Sequence, residues 1–332
     1  MFKNIIIFGA GASYGSDTNY IREKGLLPPL GKDLFLELVE DPALKNWYNL
    51  PESQRSYFQN KNFEEGMERL LNDEETNPRQ LGRDQDLSIY FSKFLSRESN
   101  LYYKLAKKIA TRSKKLNWDG GIITLNYDRL MEAALIKHGI FPDIKGVTYY
   151  DIPIKTHLIK DRVEICYPHG ACHLFFYTDA FKGKDFVAFG PEARFLGKEG
   201  VNQFFVPEHV KMACEKEDGL AIPIICRYEP TKHPSVNNYF TDLQKKRCEE
   251  LILEAKKIVI IGVHYNYEND HHVWEPLAKT TAKVTYFEPY EEQIEKIKEW
   301  AGKINKPATH LEIIPKAFKN GFDSLLELID LR

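Results

Sequence analysis

The stretch Lys3–Ser16, KNIIIFGAGASYGS, decides the fold. Ile5-Ile6-Ile7-Phe8 is a short apolar run rich in β-branched residues, closed at once by Gly9. That is the pattern of a strand buried on both faces of a parallel sheet. Gly9-Ala10-Gly11-Ala12-Ser13-Tyr14-Gly15 follows. Small residues let the backbone turn tightly and approach a ligand that a Cβ would push away. A strand running into a Gly-rich turn and a helix start presents N–H groups to a phosphate. The spacing Gly-x-Gly-x-x-x-Gly departs from the dinucleotide fingerprint Gly-x-Gly-x-x-Gly, and close packing alone explains such glycines equally well.

Working outward, 332 residues are enough for one large core or two modest ones. With 43% hydrophobic and 28% charged residues, the chain has the composition of an ordinary soluble globular protein. A formal charge of -2 supplies no global field for nucleic acid or an anionic membrane. The sequence has no apolar run of membrane-spanning length and no signal peptide, because the run after Lys3 is short and enters the glycines directly. Cys166, Cys172, Cys214, Cys226 and Cys248 form no Cys-x-x-Cys pair, which argues against a zinc ribbon or a disulfide scaffold and suits a reducing cytoplasm. No metal-ligand set is read from the sequence.

After the loop Asp17–Pro29, helices are expected over Lys32–Val39 and Asn62–Leu71, with a polar loop over Asp73–Asp86. One long amphipathic helix is expected over about Leu87–Leu116. Residues 31–116 therefore read as a helical insertion between the first two strands. Ile122–Leu125 is the second strand, with Arg129–His138 the helix after it. In the stretch Glu164–Cys172 a short apolar strand precedes Pro168-His169-Gly170, and residues 173–219 read as a small irregular module or lid. Further strands are expected at Leu220–Cys226, Ile258–Ile261, Val284–Pro289 and Leu311–Ile314. Helices are expected at Val236–Glu254, Tyr290–Trp300 and Phe322–Ile329, and Pro230 and Pro234 mark a loop. Strands alternating with helices predict an α/β fold with a doubly wound, Rossmann-like parallel sheet.

Polar residues stand where ligands bind such sheets, outside the carboxyl ends of strands. Asn126 and Asp128 follow the second strand in TLNYD; a helix N-cap alone would explain Asp128, whereas Asn126 has no such ready structural explanation beyond an Asn turn. His169 sits in Pro168-His169-Gly170, where an imidazole could move a proton near neutrality or merely bond a turn. Gly262 ends the strand of KKIVIIGVHYNYEND, and Asp270 lies where the next helix begins. Glu288 closes another strand, where an acid can accept adenosine ribose hydroxyls or simply be solvated.

GAGAS, TLNYD, PHG and IIGVHYNYEND, in that order, resemble the sirtuin-like NAD-binding family over most of the chain. Leu27-Pro28-Pro29-Leu30-Gly31-Lys32-Asp33-Leu34-Phe35 and Phe63-Glu64-Glu65 look more like its prokaryotic antiviral-defence branch, known for NAD hydrolysis, than like protein deacetylases. The resemblance implies a diphosphate site at Gly9, Ala10, Gly11, Ala12 and Ser13. It matches Asn126 and His169 to the catalytic Asn and His, and Asp128 to the acid near the nicotinamide and its ribose. Gly262 and Asp270 match the second glycine site, and Glu288 the adenosine side. Two departures stand out: the zinc ribbon is absent, and Val263-His264 replaces the usual aromatic-serine pair.

The resemblance thus implies an NAD glycohydrolase, with NAD as substrate and no metal, acting as an effector in an abortive antiviral response. Two other uses of the same site are an NAD-dependent deacylase or ADP-ribosyltransferase, and a non-catalytic NAD or ADP-ribose sensor in an assembly. Self-assembly into a homo-oligomer is expected, and family analogy names a hexameric DNA-translocase ATPase as a partner.

Overall fold

The computed structural model describes residues 4–17, 26–58, 63–73, 80–116, 118–149, 161–177, 201–204, 206–215, 221–226, 238–307 and 309–332. The chain begins with β1 (Asn4–Phe8), whose five residues are all buried, and a one-turn helix α1 (Ala10–Tyr14). Next come α2 (Gly31–Glu40), α3 (Lys45–Tyr48), α4 (Glu52–Arg55), a 3-10 turn at Ser56–Phe58, α5 (Phe63–Asn72), α6 (Gln80–Ser92) and α7 (Leu101–Leu116). Then follow β2 (Gly120–Thr124), α8 (Leu130–Lys137), β3 (Ile140–Asp143), β4 (Val147–Tyr149), β5 (Asp161–Cys166), β6 (Gly170–Tyr177), β7 (Val201–Gln203), α9 (Pro207–Glu215) and β8 (Ala221–Ile225). The remainder is α10 (Asn238–Glu254), β9 (Lys257–Ile261), α11 (His271–Lys279), β10 (Lys283–Phe287), α12 (Glu291–Lys303), β11 (Leu311–Ile314) and α13 (Phe318–Leu328).

Seven strands form one parallel sheet in the order β11-β10-β9-β1-β2-β5-β3. The chain leaves β1 toward β2, β5 and β3, then returns to build β9, β10 and β11 on the other side. The fold is α/β, doubly wound and Rossmann-like, with its switch point between β1 and β9. The register runs Phe8 opposite Thr124 on one side and Ile261 on the other, so three strand ends are level.

Alternation along β1 explains why the four positions after Asn4 are all apolar. Ile6 and Phe8 face the core that holds α2, α5, α6 and α7, while Ile5 and Ile7 face the core of α10, α11 and α12. Truncating a fully buried Ile to Ala typically costs about 2–5 kcal/mol.

The helix expected over Leu87–Leu116 is two helices. Asn100 breaks it: its Oδ1 accepts the Tyr102 amide at 2.9 Å, capping α7, and its Nδ2 donates to Ser16 Oγ at 2.7 Å. The loop expected over Asp73–Asp86 is helical from Gln80, because its polar residues are buried and bonded rather than solvated. Asp86, for example, accepts the Asn46 amide at 2.7 Å. The region expected to be irregular contributes ordered strands: β6 and β7, with β4 and β8, make a second sheet in the order β4-β7-β6-β8. Positions 178–200 of that module, and the Pro230–Pro234 loop, lie outside the described residues. The five cysteines are buried, and none is in a disulfide among the described residues.

Candidate active site

At the switch point the first two turns grip each other. Gly9 N–H donates to Ile261 O and Gly11 N–H to Gly262 O, both at 3.0 Å, and Ala12 N–H returns to Gly9 O at 2.9 Å. Gly262 has φ +64°, and a Cβ there would sit 2.0 Å from Ala12 N; one on Gly9 would sit 2.4 Å from Gly262 O. The glycines are therefore required by contact between the turns after β1 and β9. The Gly11 amide is already bonded and Ser13 is fully buried, which leaves Ala10 as the exposed residue of the turn.

Ser13 joins the first turn to the end of β2. Asn126 Nδ2 donates to Ser13 Oγ at 2.8 Å, and Ser13 Oγ lies 3.1 Å from the Tyr102 hydroxyl on α7. Asn126 Oδ1 is buried and has no hydrogen-bond partner among the described residues. A buried polar atom left so costs about 1–3 kcal/mol unless something satisfies it. Asp128 is buried, and its Oδ1 accepts the Leu130 amide at 3.0 Å, holding the start of α8. Burial raises its pKa; the Leu130 amide and the Ser13 hydroxyl pull the other way without cancelling the shift. Burial and the Asp128 charge together push the Tyr102 phenol well up.

One turn further, Glu132 has a different environment. Arg129 lies 3.3 Å from its Oε1, and His173 of β6 contacts its Oε2. Burial opposes its ionisation, but the His173 and Arg129 charges outweigh it and hold the carboxyl below its ordinary value.

His169 is placed by the turn between β5 and β6. Gly170 has φ +71°, and a Cβ there would fall 1.9 Å from Ile224 O. The His169 carbonyl accepts the Cys226 amide at 2.9 Å. The buried imidazole presents Nε2 to Asp270 Oδ1 and to His272 Nε2, each at 3.1 Å. In the sheet, β5 and β9 are separated by β1 and β2. Three strand spacings amount to about 14 Å. The loops carrying His169 and Asp270 thus reach toward each other across the ends of β1 and β2, where the glycine turn and Asn126 lie.

Of the residues singled out in the sequence, the fold brings Ser13, Asn126 and Asp128 into one cluster and His169 and Asp270 into another. Gly9, Gly11 and Ala12 pack on Gly262. Glu288 stands apart at the end of β10, buried, with Oε1 accepting the Tyr290 amide at 3.0 Å; burial raises its pKa. At the altered Val263-His264 pair, the Val263 carbonyl accepts the Tyr286 hydroxyl. Tyr102, Glu132, His173 and His272 are not foreseen by the sequence motifs. Only His272 carried a signal, as half of a His-His pair directly after Asp270.

No family model matches this chain, and no curated protein does. Among solved structures, a Sir2 homologue in complex with NAD is similar at 12% identity and TM-score 0.48, covering 100% of this chain and 91% of that one. A Sir2 homologue variant in complex with ADP-ribose is similar at 12% identity and TM-score 0.43, covering 99% and 92%. Sir2Tm bound to a propionylated peptide is similar at 12% identity and TM-score 0.42, covering 99% and 94%. Likeness at this level adds nothing to the sheet order, on which the fold stands.

Proposed function

We propose that the protein cleaves the nicotinamide N-glycosidic bond of NAD, releasing nicotinamide and ADP-ribose. The observation that carries this is the unsatisfied Asn126 Oδ1, buried at the switch point beside the first glycine turn. It is an acceptor awaiting a donor, and a ribose hydroxyl or a water supplies one.

The chemistry asks little of the protein besides placement and charge. Nicotinamide leaves as a neutral molecule, taking the bonding pair from a cationic precursor, so no general acid is needed. The sugar passes through an oxocarbenium-like state that a nearby carboxylate stabilises. Asp128, buried and facing no ion pair of its own in the described contacts, serves there. His169 takes the proton from the attacking water, and Asn126 orients that water and bonds the ribose. The diphosphate lies over the turn from Gly9 to Ser13, with Ala10 its exposed residue, and Glu288 serves the adenosine end. Burial of Asn126, Asp128 and His169 requires that side chains or loops open for NAD to enter. The family resemblance extends this to an oligomeric cytoplasmic effector of antiviral defence that a partner such as a hexameric translocase releases.

The test is chromatography of NAD incubated with the purified protein, with and without an acetylated peptide. Equal nicotinamide and ADP-ribose without peptide are expected, and Asn126→Ala should lower the rate by about 10²–10⁴-fold. Turnover only with peptide would replace the reading with deacylation. Tight NAD binding without turnover would replace it with sensing.

A further inference from the structure

We propose that His169, Asp270 and His272 form a binding site for a divalent cation of the zinc class. The three ligand atoms lie within 4.8 Å of one another, with His169 Nε2 3.1 Å from both partners. Ligands about 2.0–2.1 Å from a tetrahedral zinc stand about 3.4 Å apart, so little adjustment is needed to seat an ion between them.

The donor set supports the same conclusion. Two imidazoles and one carboxylate are the ligands zinc takes when a fourth position stays open to water. One ring nitrogen of His169 faces a carboxylate oxygen and a second ring nitrogen. If it carries a proton, that proton is shared between two acceptors. If it does not, its lone pair faces the carboxylate. A cation between the three attracts all of them. The ligands also come from well-fixed backbone: His169 from a turn that only glycine at 170 permits, and Asp270 and His272 from the start of α11, where the Val273 and Trp274 amides bond the Asp270 carbonyl. No cysteine takes part.

Occupancy would consume the lone pair on His169 Nε2, so zinc should suppress NAD cleavage and a chelator should restore it. This consequence, unlike the site itself, rests on His169 being the base.

The experiment titrates Co²⁺ into chelator-treated full-length protein and follows visible ligand-field absorption, then displaces Co²⁺ with Zn²⁺. One equivalent with tetrahedral-type bands is expected. Asp270→Asn and His272→Gln should each weaken binding about tenfold or more. His271→Ala, altering an exposed neighbour, should leave it unchanged. His272 is only partly buried, and thermal melting of His272→Gln checks its fold. Absence of the bands, or equal binding by folded His272→Gln, overturns the site whatever the NAD assay shows. An intact Co²⁺ site with zinc-insensitive NAD cleavage keeps the site and overturns His169 as the base.

Discussion

Asp128 and Glu132 are two buried carboxyls four residues apart, and their surroundings push them in opposite directions. Glu132 sits between Arg129 and His173, which hold it ionised against the cost of burial. Asp128 receives an amide and a hydroxyl, and its pKa rises. The first is an ion cluster that fastens α8 to the second sheet through His173 of β6. The second lies beside the unsatisfied Asn126 Oδ1, and the nearby His173 charge, the amide and the hydroxyl together do not offset its burial. A charge already paired holds the fold. An acid left short of a partner in a crevice of strand ends is suited to a ligand that brings positive charge, as the nicotinamide ring and the oxocarbenium-like sugar do.

The largest effect that would break this contrast is on stability. Glu132→Ala leaves Arg129 and His173 buried without their anion and should cost about 3–5 kcal/mol in denaturant unfolding. Asp128→Asn keeps an oxygen for the Leu130 amide and should not lower the midpoint at neutral pH. Its effect should fall instead on nicotinamide release, by about 10²-fold. If both variants unfold equally easily, the division between a structural acid and a site acid fails.

A smaller effect sharpens the same contrast through pH. Glu132 is lowered, so its contribution to stability is present above the ordinary value of 4.5 and lost as pH falls through its folded value. Asp128 is raised, so its contribution is present below 3.8 and lost as pH rises through its folded value. In stability measured against pH, Glu132→Gln should flatten the acid limb, and Asp128→Asn should remove the loss on the rising side.

The sheet was legible because β1, β2 and β9 are buried on both faces and carry unbroken apolar runs, Ile5 to Phe8, Ile122-Ile123 and Ile258 to Ile261, ended by Gly or a polar residue, while Val284, Tyr286 and Phe287 mark β10. β3 and β4 were not, since four and three residues carry no periodicity, and Pro142 in β3 argues against a strand. The start of α6 was hidden because Arg83, Asp84 and Asp86 are polar yet buried, and composition alone reads them as solvated loop. At the site, Ser13, Asn126, Asp128 and His169 were visible by their place after strands. Tyr102 was not: it looks like another apolar-face residue of α7, and only the cap at Asn100 aims its hydroxyl at Ser13. The Glu132 cluster depends on a contact between α8 and β6, which no local pattern encodes.

The most direct measurement is a crystal structure with ADP-ribose. The diphosphate should lie on the turn at residues 9–13, with a hydroxyl of the sugar that would carry nicotinamide donating to Asn126 Oδ1 and His169 on that sugar's open face. ADP-ribose bound instead in the ≈ 400 Å³ cleft beneath α13, lined by Lys257, Lys283 and Glu312, or seated with Asn126 untouched, would contradict the account.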